Sequence, residues 1–395
     1  MTEQRRRTQV AIIGGGPAGS LLSHLLHAEG VDSIILELRS KEYVLGRVRA
    51  GVMEHGSGEI LRQAGLGDRM DREGFVHDGV NLAFGGGMTR IDFDGLVGKH
   101  VIIYGQTEMQ KDLYRAIEEK GTSLIDEVAD VHLHDVDSDS PSVSFTRSGQ
   151  RQAIDCDFVA GCDGVHGVSR EYIPASMVAT FERLYPFVWI GVLSPTPPVS
   201  EELIYANHPD GFALCSMRNE NLSRYYVQGS ADDAAEDWPD ERFWEALQTR
   251  LPAETADRLV TGPTIETIVT PLRSWVMEPM SFGRLFLAGD VAHIVPPTGA
   301  KGLNLAISDV VYLSRALTDF YSGNSTTGLA SYSKTALARV WKAVRFSWWM
   351  TSMMHRFPGV SDDFDRRMQL TELEYLSQSE NARRAMAENY VGLPL

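Results

Sequence analysis

A short apolar run, Val10-Ala11-Ile12-Ile13, leads straight into Gly14-Gly15-Gly16-Pro17-Ala18-Gly19. No other stretch constrains the fold so tightly. Gln9 to Ile13 reads as a buried strand, and the glycines after it match G-x-G-x-x-G. A helix pattern runs from Ala18 to about Ala28, with Gly30 as its stop. A second strand, Ser33 to Leu36, ends at Glu37. Strand, glycine turn, helix and strand in that order imply a parallel sheet. Each residue type has a physical task there. Gly14 permits the tight turn, Gly16 lets the backbone approach a pyrophosphate, and Gly19 lets helix and strand pack closely. The helix start favours phosphate charge, and Glu37 can accept hydrogen bonds from a ribose. The motif suits FAD and NAD equally, and a ligand-free glycine turn is the bland alternative.

Composition narrows the function classes. The 395 residues carry a formal charge of −16, which disfavours general nucleic-acid binding. The 36 glycines point to many tight turns and close backbone approaches. Cys156, Cys162 and Cys215 have no C-x-x-C spacing, so a disulfide framework or zinc site is not expected, and a reducing cytoplasm fits. No ligand cluster for another metal is visible. No apolar run reaches the roughly 18 residues needed to span a membrane. Arg5, Arg6 and Arg7 before an apolar stretch mimic an export signal, but the glycines, Pro17, His24 and His27 interrupt it.

The expected architecture is mixed α/β. A Rossmann-like domain with a parallel sheet precedes a mostly antiparallel substrate domain and a C-terminal helical region. The boundaries read as 1–179 for the dinucleotide domain, with 76–100 contributing to the substrate side, 180–270 for the antiparallel region, 271–325 for a return to the first domain, and 326–395 for the helical part. Gln106 to Glu119 reads as a helix with Thr107 as its cap. Ser142 to Phe145 and Phe158 to Val159 read as strands. Phe187 to Leu193, Glu202 to Tyr205, Phe212 to Met217 and Arg224 to Gln228 are further short strands, followed by a helix from Asp240 to Leu251. Arg284 to Ala288 returns to the buried-strand pattern, and the chain is helical from Leu303. Trp341, Trp348 and Trp349 there suit a core or a subunit interface.

Two later elements join the glycine motif. Asp163-Gly164 follows a strand, and Gly289-Asp290 ends another before the loop Pro296 to Gly302. In the antiparallel region Ser216 and Arg218 share a strand face, as do Arg224 and Tyr226, with Asn219 to Ser223 as the hairpin. A hydroxyl beside a guanidinium makes a carboxylate clamp, and a solvated strand face is the alternative. Tyr205, Tyr390 and His77 carry no pattern signal; by themselves they read as packing tyrosines and a loop histidine.

The three motifs together resemble the single-component FAD-dependent aromatic hydroxylases. Five stretches sharpen the resemblance: Tyr43 to Gly51, Tyr104 to Glu108, Leu203 to Pro209, Ala292 to Asn304 and Ala387 to Pro394. It covers essentially the whole chain after the first few residues. It implies FAD as cofactor, NADPH or NADH as co-substrate, O2, and a small aromatic carboxylate. It further implies hydroxylation of 4-hydroxybenzoate at C3, giving 3,4-dihydroxybenzoate through a flavin C4a-hydroperoxide, in a cytoplasmic homodimer.

By the same resemblance, Ser216, Arg218 and Tyr226 hold the carboxylate, and Tyr205 and Tyr390 relay the phenol proton toward His77. The Pro297 carbonyl meets the substrate hydroxyl. Lys301 and the following helix start favour negative charge on the flavin, and Asn304 orients the flavin region. Arg47, Arg49, Gln106, Asp163, Asp290, Gly299 and Leu303 match cofactor positions, with Arg49 on the pyrophosphate. Arg224 supports flavin position and mobility. Leu38, Arg39, Tyr43 and Arg273 match donor-contacting positions. Leu38 replaces the arginine many members carry for the NADPH 2′-phosphate, with Arg39, Lys41 and Tyr43 as partial compensation. The expectation is therefore NADH activity at least comparable to that with NADPH. A hydroxylase of another small aromatic acid and a non-catalytic flavin-binding sensor are the competing readings.

Overall fold

The computed structural model describes residues 4–46, 51–359 and 362–395. Arg47 and Arg49 lie outside the described residues. Val10–Ile13 sits between Ser33–Leu36 and Phe158–Gly161, parallel to both. Ser123–Ile125 and Leu285–Leu287 extend this parallel sheet outward, and Ser281–Phe282 adds an antiparallel edge. Every residue of the three central strands is buried. That double-sided burial explains why they read as unbroken apolar runs, without alternation. Helix Pro17–Ala28 packs against helices Gln106–Glu119 and Gly302–Gly323. Because neighbouring strands run the same way, the chain leaves Ile13, Gly161 and Leu287 at one end of the sheet. Gly14, Asp163 and Gly289-Asp290 follow these ends directly. Adjacency in the sheet, invisible in the sequence spacing, gathers all three at one crevice.

The second sheet has eight strands, in the order His293–Ile294, Glu266–Glu278, Ala179–Ser194, Leu222–Ser230, Gly211–Asn219, Ile204–His208, Gly79–Phe84 and Gly87–Asp92. All pairs are antiparallel except Ile204–His208 with Gly79–Phe84. The 79–92 hairpin thus enters the sheet from far away in sequence. Strand Ala179–Ser194 starts well before the expected Phe187. Its first six residues are exposed, so they lack the apolar signal that marks the second half. Asn219 pairs with Leu222, so the hairpin turn is tighter than the span Asn219 to Ser223 suggested. Helix Gln106–Glu119 matches its expected bounds, but Gly105 stands at the N-cap and Thr107 lies inside the first turn.

Helices Gly302–Gly323, Thr327–Met354, Asp362–Gln378 and Glu380–Val391 complete the fold. Of the tryptophans expected in core or interface, Trp341 and Trp348 are exposed on this surface. Among the described residues no helix is long and apolar enough to cross a membrane.

Two fully buried histidines link the fold to pH. Burial pushes His77 down to about 4, despite the nearby charges of Glu202 and Asp78, and pushes His355 down to about 3. Both are neutral when folded but take up protons when unfolded, near pH 6.5. Their contribution is complete above about pH 6.5 and is lost as pH falls toward 4, at roughly 3 kcal/mol for His77. We expect the urea midpoint to fall steadily below about pH 6.5, and His77→Gln to flatten that slope. A midpoint indifferent to pH over this window would contradict it.

Candidate active site

The glycine turn is held through a single residue, Gly15. The Gly15 carbonyl accepts from Ser20 Oγ at 2.8 Å, Gln110 Nε2 at 3.1 Å and the Tyr114 hydroxyl at 3.0 Å. Its N–H donates to Glu37 Oε2 at 2.7 Å. Gln106, Gln110 and Tyr114 recur every four residues on one helix, a face the sequence reading missed although its spacing was visible. Gly14 has φ +104°, and a Cβ there would strike the Cys162 carbonyl. A Cβ on Gly19 would run into the Gly14 carbonyl. At Gly16 the same position opens onto space free of atoms within 4 Å, where a ligand can approach the backbone.

The other two strand ends complete a polar rim. Asp163 Oδ2 accepts from the Ser169 N–H and hydroxyl, both at 2.9 Å, while its buried Oδ1 has no partner. Burial raises this carboxyl despite those bonds. The Gly289 N–H donates to Asp309 Oδ2 at 2.9 Å, and His293 Nε2 lies 2.6 Å from the same oxygen. This buried His–Asp pair fixes the Gly289-Asp290 corner and gave no motif signal.

One cavity of about 830 Å³ joins the rim to the second sheet. Gly14, Gly16, Glu37, Gln106, Asp163 and Asp290 line one part, and Trp189, Tyr205, Ser216, Arg218, Tyr226 and Pro297 line another. Lys301, Gly302 and Leu303, at the start of helix Gly302–Gly323, stand between loop and sheet. An open backbone cradle, an unpartnered carboxylate oxygen and a long cavity fit an extended dinucleotide such as FAD.

At the sheet end Arg218 Nη1 lies 2.9 Å from Ser216 Oγ and donates to the Met217 carbonyl at 3.1 Å. Its Nε is buried without a partner, and burial lowers its pKa. Among the described residues, no carboxylate lies within salt-bridge distance of Arg218. Arg224, opposite Ser216 in the ladder, is instead bound to Glu266 at 2.7 Å and passes over the Tyr226 ring at 5.8 Å. It does not line the cavity, and its buried Nε and Nη1 have no partner. The Tyr205 and Tyr390 hydroxyls meet at 2.9 Å. Burial pushes Tyr205 up to about 12 and raises Tyr390 well above the ordinary tyrosine value, so both are neutral at pH 7. His77 is not joined to this pair: neither ring nitrogen has a hydrogen-bond partner.

Several expected positions sit differently. The Lys301 ammonium is turned onto Glu54 Oε1 at 2.7 Å and the Tyr390 carbonyl at 2.9 Å. Arg339 binds the other Glu54 oxygen at 2.9 Å. The expected flavin-facing charge of Lys301 is therefore largely met by Glu54, a buried carboxylate that sequence reasoning overlooked. Asn304 acts on backbone: its Oδ1 accepts from Glu54 N–H, and its Nδ2 reaches the Val52 and Ala300 carbonyls, all at 2.9 Å. The Pro297 carbonyl accepts from the Ala300 N–H at 2.9 Å and keeps a free lone pair. Gly299 is buried against Ser347, away from the cavity. Leu38, Arg39 and Tyr43 line the rim, exposed, with Arg39 over the Tyr43 ring at 5.2 Å. Lys41 is bound to Glu118 at 2.7 Å, so it does not supplement them. Arg273 is 3.7 Å from Glu182, off the cavity lining.

A crevice of this kind, at parallel strand ends with an antiparallel sheet closing its far side, defines a flavin-binding monooxygenase architecture. The FAD binding domain family matches residues 7–347. The chain belongs to that family, among the single-component FAD-dependent aromatic hydroxylases. It is 51% identical over 392 residues to p-hydroxybenzoate hydroxylase of Acinetobacter baylyi, covering 99% of this chain and 96% of that one. It is 24% identical over 357 residues to a 3-(3-hydroxy-phenyl)propionate/3-hydroxycinnamic acid hydroxylase of Burkholderia vietnamiensis, covering 84% and 60% of the two chains. The fold is shared with p-nitrophenol 4-monooxygenase of Pseudomonas putida, at TM-score 0.84 and 18% identity, covering 99% of this chain and all of that one.

Gly19→Ala tests the turn directly. The added methyl displaces the Gly14 carbonyl and with it the phosphate-facing backbone. FAD affinity, read by equilibrium dialysis of the folded protein, is expected to fall at least about tenfold. Unchanged affinity would mean the turn does not grip the cofactor.

Proposed function

We infer that this chain is an FAD-dependent monooxygenase that hydroxylates 4-hydroxybenzoate at C3 to 3,4-dihydroxybenzoate, consuming O2 and NADH or NADPH. The half-buried guanidinium of Arg218, which lines the cavity with no carboxylate of the described residues beside it and its Nε unpartnered, carries the reading. A half-buried charge without a counter-ion is costly, and an aromatic carboxylate completes it. The near-complete likeness to p-hydroxybenzoate hydroxylase supports the same substrate.

FAD, when bound, takes hydride from the nicotinamide and activates dioxygen. The protein's own groups do the rest. Arg218, Ser216 and Tyr226 hold the carboxylate, placing the ring hydroxyl toward Tyr205. Tyr205 accepts the phenol proton at its oxygen while passing its own to Tyr390, 2.9 Å away. Removing that proton leaves an electron-rich phenolate, whose ring carbon beside the oxygen accepts the new hydroxyl. Neutral tyrosines suit the hand-over, because each can accept and donate at one oxygen. His77, whose ring nitrogens are both left without a hydrogen-bond partner, is the residue that takes the proton onward. The Pro297 carbonyl's free lone pair serves the substrate hydroxyl, and the enclosing walls keep bulk water from the reacting atoms.

The donor assignment rests on the rim. Leu38 is 61% exposed and cannot bind a phosphate, while Lys41 is committed to Glu118. Arg39 is left as the cation for a 2′-phosphate, so NADH should serve at least as well as NADPH. A homodimer fits the exposed Trp348, Phe364, Met368 and Tyr375 of the C-terminal helices, and a cytoplasmic setting fits the three free cysteines.

Purified protein should carry yellow flavin, and 4-hydroxybenzoate should accelerate NAD(P)H oxidation with 3,4-dihydroxybenzoate formed. Acceleration by a different aromatic acid alone would favour the other hydroxylase reading, and bound flavin without turnover a sensor. Arg218→Ala should weaken 4-hydroxybenzoate binding about 100-fold, the cost of losing a charged partner in a buried site. Steady-state kinetics with both donors should give NADH a kcat/KM no lower than NADPH; a large NADPH preference would sink the assignment.

A further inference from the structure

One helix end is tied to two walls of the substrate chamber. Trp189 lines the cavity, and its indole N–H donates to His355 Nε2 at 2.6 Å. His355 Nδ1 lies 3.0 Å from the Thr351 carbonyl. An indole N–H only donates and a carbonyl only accepts, so the imidazole is the neutral Nδ1–H form. The depressed pKa of about 3 agrees. The ring also stacks on Phe187 at 4.7 Å and Phe212 at 4.3 Å, which fixes its plane.

The opposite side of the same turn reaches the flavin loop. The Thr351 hydroxyl lies 2.7 Å from the Ser347 carbonyl and 3.0 Å from the Thr298 hydroxyl. The Thr351 hydroxyl donates to both oxygens, sharing its proton between the Ser347 carbonyl and the Thr298 hydroxyl in a three-centre bond. Thr298 follows Pro297, a cavity residue. The next residue, Gly299, touches Ser347 so closely that a Cβ would collide with its hydroxyl. Thr298, Ser347, Thr351 and His355 are all fully buried. Apolar packing would fill this volume equally well, but hydrogen bonds set direction as well as volume.

We propose that Thr351 and His355 are positioning residues that set the distance between the substrate clamp and the flavin loop. Trp189 couples to the clamp, since its ring lies 5.0 Å from Tyr226 and its strand pairs with the Tyr226 strand. Thr351 couples to Pro297 through Thr298. A single helical turn thus holds the carboxylate end and the hydroxyl end of a bound ring at a set spacing. This rests on the hydroxylase reading above.

The test uses the FAD-loaded enzyme and four variants. Thr351→Val and His355→Leu remove the directional bonds; Thr351→Ser and His355→Gln keep a hydroxyl or an acceptor in place. The first pair should release at least about threefold more hydrogen peroxide per NAD(P)H oxidised than wild type, because sub-ångström misplacement of reacting groups lowers productive transfer. Their substrate dissociation constants should stay within about twofold of wild type, since the clamp itself is untouched. The second pair should resemble wild type. If Thr351→Val is as well coupled as wild type, or only its thermal midpoint falls, the proposal is overturned. Should His355→Leu fail to fold, the Thr351 pair decides alone. Absence of product in wild type would instead reject the hydroxylase reading; the visible circular dichroism of bound FAD then reports on the loop, and an unchanged band in Thr351→Val rejects the positioning role.

Discussion

The backbone of Gly15 is the point on which the site depends. Three donors from two helices converge on its carbonyl, and its N–H is held by the carboxylate at the end of the second strand. With both polar groups taken, the turn cannot rotate without breaking several buried hydrogen bonds. Gly14 and Gly16 are thereby presented to the cavity in one orientation. The parallel sheet supplies the rest of the rim, because Asp163 and Asp290 follow strands adjacent to the one that feeds this turn.

Charge is handled in two ways inside an acidic protein. Lys301 and Arg224 are buried with carboxylates from the chain itself, Glu54 and Glu266. These pairs are structural: they hold loop, helix and sheet together and leave little field for a ligand. Arg218 is half-buried, with a hydroxyl and a carbonyl as partners but no carboxylate among the described residues. That arrangement leaves its charge turned toward the cavity rather than cancelled by a neighbouring carboxylate. A net charge of −16 therefore coexists with a cation facing the cavity, since a few ångströms of local geometry outweigh a distant and screened surface charge.

Local signals were legible where one physical cause dominated. Helix Gln106–Glu119 and strand Ser33–Leu36 follow their patterns to the residue, because burial of one helix face imposes its period and burial of both strand faces leaves an unbroken apolar run. The paired faces of Ser216 with Arg218, and of Arg224 with Tyr226, also follow from strand geometry. The first part of Ala179–Ser194 was illegible because its exposed residues mix Phe181 and Leu184 with Thr180, Glu182 and Arg183 and form no continuous apolar run. Thr107 looked like a cap by residue type, but the chain turns one step earlier, at Gly105. Glu54, Asp309 and His355 were missed for a common reason. Each is a polar residue whose partner lies far away in the chain, and sequence spacing records no such pairing.

The sequence alone determined that a nucleotide-binding crevice would form, because short-range sterics leave the glycine turn few conformations and burial dictates the strands around it. It also placed a hydroxyl and a guanidinium on one strand face. It could not say which cations would be spent on internal carboxylates. The same residue type serves as a structural tie in Arg224 and faces the cavity without a carboxylate partner among the described residues in Arg218. Only the tertiary fold decides between them, by bringing Glu266 to one and leaving the other facing the cavity. The outcome depends on distances between residues remote in sequence, and Coulomb energies and desolvation turn on those distances rather than on residue identity.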